Sequence, residues 1–375
     1  MNRDQALAGF ATHWSGTPRV FRAPGRINVI GEHTDYCGGL VMPAAIDRWC
    51  WVAAAANGTG RLRLAAHDLG QTVDLDLESL SPRGDWSDYV AGVAKVLLEE
   101  GIEVPGADLW ISSEVPIGAG VSSSAALEVA SLQALLALAG QTADPMQTAL
   151  WAQAAENRFV GMPCGIMDQF ASANGLEGSA LILDCRSLEM TPAALPEDAV
   201  FLLVNSMAPH VLADGEYRAR RADCEAAVDT LGVESLRDVV DLDAALSRLE
   251  GGPALRCRHV VSENARVLAA AEAMAAGDLV TLGDLMTQSH ASLRDNMEVS
   301  VPLVDQLAEI ARQTPGVFGA RMMGGGFGGS VIALVDRARA AEAQAAIVED
   351  YGKVLGRVPD AFVCRAVAGA GEVIA

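Results

Sequence analysis

The stretch Val115-Pro-Ile-Gly-Ala-Gly-Val-Ser-Ser-Ser-Ala-Ala-Leu-Glu-Val129 joins a loop of glycines and hydroxyls to a strongly helical run, and that junction restricts the folds open to the chain. After Gly120, the residues Ala125, Val129, Leu132 and Leu136 recur at steps of three and four, which gives a helix one apolar face. Ser122, Ser123 and Ser124 fall in its cap and first turn. There the free backbone N–H groups and the positive end of the helix dipole attract phosphate. Gly118 and Gly120 let an anion approach the backbone with no Cβ in the way. A serine hydroxyl can add a hydrogen bond or a magnesium ligand. The same residues also suit an ordinary serine-capped helix after a turn, so the rest of the chain must decide.

At 375 residues the chain has room for two domains, each with its own core. A formal net charge of -21 argues against sequence-independent binding to nucleic acid or to an anionic membrane surface, both of which need cationic patches. A small anion held by backbone amides and one or two arginines is still allowed. Lys95 and Lys353 are the only lysines, and neither adjoins a glycine-rich turn. A P-loop needs Gly-Lys-Ser/Thr and a protein kinase needs a strand lysine, so ATP, if bound, is held by another fold. Seven scattered cysteines (Cys37, Cys50, Cys164, Cys185, Cys224, Cys257 and Cys364) show no C-x-x-C spacing, which favours reduced thiols over disulfides or zinc. With a polar N-terminus and no apolar run of membrane length, the expectation is a soluble cytoplasmic protein.

Residues up to about Trp14 suggest a short helix and Arg19 to Ala23 a strand. Pro24-Gly-Arg-Ile-Asn-Val-Ile-Gly-Glu-His-Thr-Asp-Tyr-Cys-Gly-Gly39 then sets Glu32, His33 and Asp35 directly behind the apolar pair Val29 and Ile30. So many polar groups beside a strand end suit a polyhydroxylated ligand, or else a solvated loop with a satisfied core histidine. Strands follow at Trp49 to Ala56, Leu62 to Ala66 and Val73 to Leu77, a helix at Trp86 to Glu100, and a strand at Leu109 to Ser113 that feeds the serine loop. Thr148 to Val160 is helical and carries Glu156. Asp168 follows an apolar Gly-Ile-Met run, where an acid is costly unless paired, used or capping a helix. Ser179 to Cys185 and Val200 to Asn205 are expected strands, with a domain boundary expected between them, near the turn Thr191-Pro192 to Pro196-Glu-Asp198. Four helices are expected beyond it, at Glu216 to Leu231, Ala254 to Ala275, Leu279 to Leu293 and Val304 to Arg312. The loop Met323-Gly-Gly-Gly-Phe-Gly-Gly-Ser330 lies between the strands Val317 to Met322 and Val331 to Val335. So many glycines in an ordered interior suggest close approach of another group, or otherwise a flexible hairpin. A helix from Ala338 to Gly356 and a strand from Ala361 to Val367 close the chain. Strands first and helices after indicate an α+β fold, divided into residues 1–195 and 196–375.

Taken together, the serine loop, the glycine loop and the Pro24 to Tyr36 segment resemble the three motifs of the GHMP (galactokinase, homoserine, mevalonate and phosphomevalonate) kinase superfamily. Pro24 to Tyr36 is similar to the galactokinase signature. The likeness continues through Gly165-Ile-Met-Asp-Gln169, Glu216-Tyr217, Arg258-His259, Glu263-Asn264, Ser289-His290 and Ser292-Leu293. It implies a two-domain kinase fold, with an N-terminal mixed sheet and a helix-rich C-terminal domain.

The resemblance also implies roles. Asp168 would act on the anomeric hydroxyl of galactose, with Arg26 beside it and beside the transferring phosphoryl group. Glu32, His33, Asp35, Gly165 and Tyr217 match sugar-contacting positions, and Ser124 with Glu156 matches the magnesium ligands. Trp86 and Tyr89 resemble the segment that flanks adenine, and Gly118, Gly120, Ser122, Ser123 and Ser124 would hold the phosphates. The partners are then galactose and MgATP, with a monomer favoured. Cys37, Pro209, Met297, Met323 and Ser330 depart from the usual family residues, and Asp-Tyr-Cys-Gly is also seen in N-acetylgalactosamine kinases. The alternative functions are a kinase for N-acetylgalactosamine or L-arabinose, and a non-catalytic galactose sensor. Against the sensor stands the intact Ser124-Ala-Ala126.

Overall fold

Five strands of the first half and one from the end of the chain assemble into a six-stranded sheet in the computed structural model, which describes residues 1–208 and 213–374. Pro209, noted above as a departure, lies outside the described residues. The strand order is Gly371–Glu372, Arg19–Asn28, Pro43–Ala56, Ala107–Ser113, Arg61–Ala66 and Gln71–Asp76. Only Arg61–Ala66 and Ala107–Ser113 run parallel. Side chains alternate across each strand. Val52, Ala54, Leu109 and Ile111 thus join the large core under the helices Ser87–Glu99 and Ser123–Leu138, while Trp51, Ala53 and Trp110 pack beneath the helix Arg3–Ala11.

The first strand runs to Asn28, past the expected end at Ala23. Its register shifts between Pro24 and Arg26, a bulge that turns the following side chain. Here the strand meets the serine loop: Arg26 N–H donates to the Val121 carbonyl at 3.1 Å. A Cβ on Gly25 would stand 2.7 Å from that same carbonyl oxygen, so only glycine permits the approach.

A four-stranded antiparallel sheet of order Val317–Met323, Ser330–Asp336, Ala199–Asn205, Ala361–Cys364 carries the second half, with the helices Pro302–Gln313 and Ala340–Leu355 over it. The helices Ala213–Leu231, Gly251–Ala276 and Leu279–Asp295 complete the expected set. Together the sheets and helices make an α+β molecule.

Three local features differ from the sequence reading. The segment around Thr191-Pro192 is not a turn but the edge strand Met190–Ala194, paired with Ser179–Asp184; a proline is tolerated on an edge because no neighbour needs its N–H. The helix expected to reach Val160 is α-helical only from Pro145 to Ala155, and Glu156–Val160 forms a π turn. Such widened turns reorient side chains and concentrate at functional sites. Finally, Asp168 is not a helix cap: it lies in the first turn of the helix Met167–Asn174, whose N-cap is Ile166. Among the described residues no helix is long and apolar enough to cross a membrane.

Candidate active site

Asp168 and Arg26, 142 residues apart in sequence, form an ion pair at the junction of strand bulge and serine loop. Arg26 Nε and Nη2 stand 2.9 and 2.7 Å from Asp168 Oδ1, and Nη1 donates to the Gly120 carbonyl at 2.5 Å. The arginine is almost fully buried, whereas the aspartate side chain keeps 28% exposure toward a cavity. Ser122 Oγ donates to the other carboxylate oxygen, Oδ2, at 2.5 Å. Ser122 is indeed the N-cap residue of Ser123–Leu138, but it has φ of 62° and makes no side-chain cap. Its hydroxyl is therefore directed to Asp168, not to the helix end. Ser123 and Ser124 are left to line the outer side of the loop.

The cavity beside Asp168 measures about 250 Å³ and is bounded by Arg26, Glu32, His33, Asp35, Gly165, Tyr217 and the backbone of Gly324 to Gly326. All five residues matched to sugar contacts thus surround one space. His33 sits in the left-handed region at φ 59°, stacks 5.5 Å from Tyr217, and has Nδ1 2.8 Å from the Tyr36 hydroxyl. Burial holds its imidazole down to about 3, so it is neutral. Asp35 is pushed up to about 7, first by burial and then by the Asp168 charge. Gly165 is required because a Cβ there would lie 1.9 Å from Asp35 Oδ2.

A second cavity of about 180 Å³ lies on the other side of the serine loop, lined by Trp86, Tyr89, Ser123, Ser124, Leu127, Ile111 and Leu69 among others. Trp86 is oriented by its indole N–H, which donates to Gln71 Oε1 at 2.8 Å. Gly120 and the glycine loop close the space between the two cavities. A Cβ on Gly324 would meet Gly120 Cα at 3.1 Å, and Ser330 Oγ donates to the Ala119 carbonyl at 2.7 Å.

Ser124 lies beside Glu156, whose carboxyl is pushed up to about 7 by burial and by Asp168. Behind it stand two residues that carried no role in the sequence reading. Gln169 Nε2 donates to Glu156 Oε2 at 2.5 Å and to Glu128 Oε2 at 3.0 Å. Glu128 is fully buried. It is the one charged residue between Ser123 and Leu138, and that isolation in an apolar helix was its available signal.

The polar signature is braced from the second half of the chain. Arg321, fully buried, donates to the Val29 and Met322 carbonyls at 2.9 and 2.8 Å, to the Asn28 carbonyl, and to Glu32 Oε1 at 3.2 Å. The same Glu32 oxygen accepts the Gly324 N–H at 2.9 Å, which ties the glycine loop to the signature. His259 Nε2 donates to the Glu32 carbonyl at 3.0 Å, so Nδ1 accepts from Ser292 Oγ at 2.9 Å. Glu263 accepts from the Gly31 N–H and from Ser289, and Asn264 from the Leu40 N–H. The paired motifs at 258–264 and 289–293 are thus supports of the site, outside its cavity. Met323 stands where the family has threonine, and its sulfur accepts the Asn28 N–H at 3.4 Å.

Comparison with known proteins fits this geometry. Residues 88–176 match the model of the GHMP kinase N-terminal domain and residues 270–353 that of the GHMP kinase C-terminal domain. The Methanococcus jannaschii mevalonate kinase superposes with a TM-score of 0.68 over 94% of this chain and 100% of that one, at 19% identity, which is a likeness of fold. The molecule is therefore a GHMP-type kinase. Residues 8–56 match the galactokinase galactose-binding signature. A galactokinase of Chloroflexus aurantiacus is 45% identical over 98% of this chain and 97% of its own length. The Lactococcus lactis galactokinase, solved in complex with galactose, superposes with a TM-score of 0.94 at 32% identity over 99% of each chain. The chain belongs to the galactokinase family, and it is an enzyme, a sugar kinase.

Proposed function

We propose that the chain transfers the γ-phosphoryl group of ATP to the anomeric C1 hydroxyl of D-galactose, giving α-D-galactose 1-phosphate and ADP. The observation that carries this reading is the position of Asp168, held by Arg26 and Ser122 on the wall of the cavity that Glu32, His33, Asp35, Gly165 and Tyr217 enclose. A carboxylate oxygen keeps a second lone pair when one hydrogen bond is made. In the transfer, the O1–P bond forms, the bond from the γ-phosphorus to its bridging oxygen breaks, and the O1 proton passes to Asp168. Phosphoryl transfer asks chiefly for an oriented acceptor and a cation near the developing charge, and Arg26 supplies the cation. Glu32, Asp35 and neutral His33 offer acceptors and donors to sugar hydroxyls, and a site that leaves such groups unpaired rejects the wrong sugar strongly. The galactose held by the Lactococcus lactis relative supports this choice of sugar.

Adenine is assigned to the cavity of Trp86 and Tyr89, and the phosphates to Gly118, Gly120, Ser123, Ser124 and the first-turn N–H groups. Among the described residues no three His, Cys, Asp or Glu side chains form a metal cage. Magnesium bound with a nucleotide needs only one or two hard protein oxygens beside phosphates and water, which the Ser124 hydroxyl and Glu156 carboxylate provide. The surplus of acid at Asp168 and at the buried Glu156 and Glu128 fits a divalent cation as well. Bound there, magnesium would neutralise phosphate charge. We assign residues 1–195 to the sugar signature and serine loop and residues 196–375 to the glycine loop, in a cytoplasmic monomer with reduced thiols.

Steady-state ATP turnover with galactose, N-acetylgalactosamine and L-arabinose tests the reading. Galactose is expected to have the highest kcat/KM, and Asp168→Asn to lose about 10²–10⁴ in kcat while still binding galactose in calorimetry. Preference for another sugar, or an Asp168→Asn enzyme with most of its kcat, would overturn it.

A further inference from the structure

We propose that Glu128 and Gln169 are positioning residues that aim the Glu156 carboxylate at Ser124, and so build the divalent-cation site. The inference rests on the assignment of Ser124 and Glu156 as the magnesium ligands. Ser124 and Glu128 are four residues apart on one helix and therefore project from the same face, one turn apart. Glu156 reaches them from the π turn, and Gln169 from the residue after Asp168.

One amide group joins the three. Both hydrogens of Gln169 Nε2 are used, one on Glu128 Oε2 at 3.0 Å and one on Glu156 Oε2 at 2.5 Å. Anchoring Oε2 in this way fixes the rotation of the Glu156 carboxylate and leaves its other oxygen for Ser124 and a cation. Without Glu128, Gln169 is held only by Glu156 itself and by a weak contact to Cys164 Sγ at 3.7 Å, because its Oε1 has no partner. Glu128 Oε1, also without a hydrogen-bond partner, lies in the same buried cluster.

Stability does not explain such a residue. Glu128 and Gln169 are both completely buried, and Glu128 faces a second buried carboxyl, that of Glu156. Replacing a buried ionisable group with an apolar residue of similar volume is often neutral or stabilising. What an apolar residue cannot do is accept the Gln169 hydrogen bond.

The test is the ratio of ADP affinities with and without magnesium, measured by calorimetry on the whole enzyme, since that ratio reports the cation and not the fold. Glu128→Leu and Gln169→Met are each expected to lower the ratio at least fivefold. Their melting temperature should be at or above that of the parent, and metal-free ADP affinity unchanged. Glu128→Gln, which restores an acceptor for Gln169 and adds a donor for Glu156, is expected to stay within twofold of the parent. Should Glu128→Leu fail to fold, Gln169→Met and Glu128→Gln carry the same comparison. A parental ratio in Glu128→Leu or Gln169→Met, while Glu156→Gln loses it, overturns the positioning role alone. A parental ratio in Glu156→Gln overturns the ligand assignment together with the inference.

Discussion

Asp35 is the residue whose chemistry the enclosed site changes most directly. Its carboxyl is pushed up to about 7 from the ordinary value of about 3.9, with Asp168, Glu32, Arg26 and the Tyr36 N–H as the groups that face it. Between those two pH values the folded protein holds a proton on Asp35 that the unfolded chain has already lost. Stability falls with rising pH wherever the folded state binds more protons, so this group contributes a loss as pH climbs from about 4 through 7. His33, held down to about 3, is neutral in the folded protein while the unfolded imidazole still binds a proton below about 6.5, so it contributes stability that rises with pH up to about 6.5, in parent and Asp35 variant alike. We predict that Asp35→Asn, which removes the titration and keeps the shape, lacks this loss. Urea midpoints of parent and variant from pH 5 to 8 measure it, and the parent should lose ground to the variant as pH rises. Parallel profiles would show that Asp35 ionises at its usual pH. Arg26 and Asp168 act at the same scale: two nitrogens of the guanidinium share one carboxylate oxygen, an arrangement that lysine cannot reproduce from a single point charge.

At the scale of elements, the loop between the π turn and the helix Met167–Asn174 presses on the sugar signature through Gly165. Its ideal Cβ would lie 1.9 Å from Asp35 Oδ2 and 2.9 Å from Asp35 Cβ, so a short, stiff side chain would have to move. Gly165→Ala should therefore raise the galactose KM at least tenfold while nucleotide affinity stays near the parental value. Calorimetric titration of each ligand checks this, and unchanged galactose affinity would remove Gly165 from the sugar wall. The long periodic helices were legible in the sequence, as was the serine loop, because helical spacing and glycine placement are local signals. The edge strand Met190–Ala194 was not, since Pro192 reads as a break and only pairing to Ser179–Asp184 makes it a strand. Nor was the π turn at Glu156–Val160, whose sequence carries on the helical pattern. Of the five proposed sugar-site residues, Glu32, His33 and Asp35 were legible as a cluster of polar groups beside a strand end, Gly165 and Tyr217 only through family likeness. Charge in an apolar segment was the neglected clue, at Glu128 in its helix and at Arg321 in its strand.

Across the whole molecule, the site exists because the two halves of the chain are locked together under it. Strand Val317–Met323 belongs to the second sheet, yet its Arg321 reaches the carbonyls of Asn28 and Val29 at the end of a first-sheet strand, and the Glu32 carboxylate beyond. The Glu32–Arg321 pair is completely enclosed, and the Gly324 N–H on the same Glu32 oxygen extends the connection to the glycine loop. Breaking a buried pair by removing one partner leaves the other charge uncompensated, a loss of about 3–5 kcal/mol. Arg321→Met should cost stability in that range, because it strands the Glu32 charge and also frees three carbonyls. Glu32→Gln alone strands the arginine, although the carbonyl bonds continue to hold it, so its cost should be smaller. In the double variant the charge penalty is gone and only the carbonyls are orphaned. It should thus be more stable than the sum of the two single losses implies, by more than about 0.5 kcal/mol. Galactose affinity should not recover with it, since Glu32 would be lost from the sugar cavity in either background. Urea unfolding of the four proteins gives the coupling and calorimetry gives the affinity. Additive losses would mean that the halves are joined through the carbonyls alone, and that the Glu32 charge serves the sugar without serving the fold.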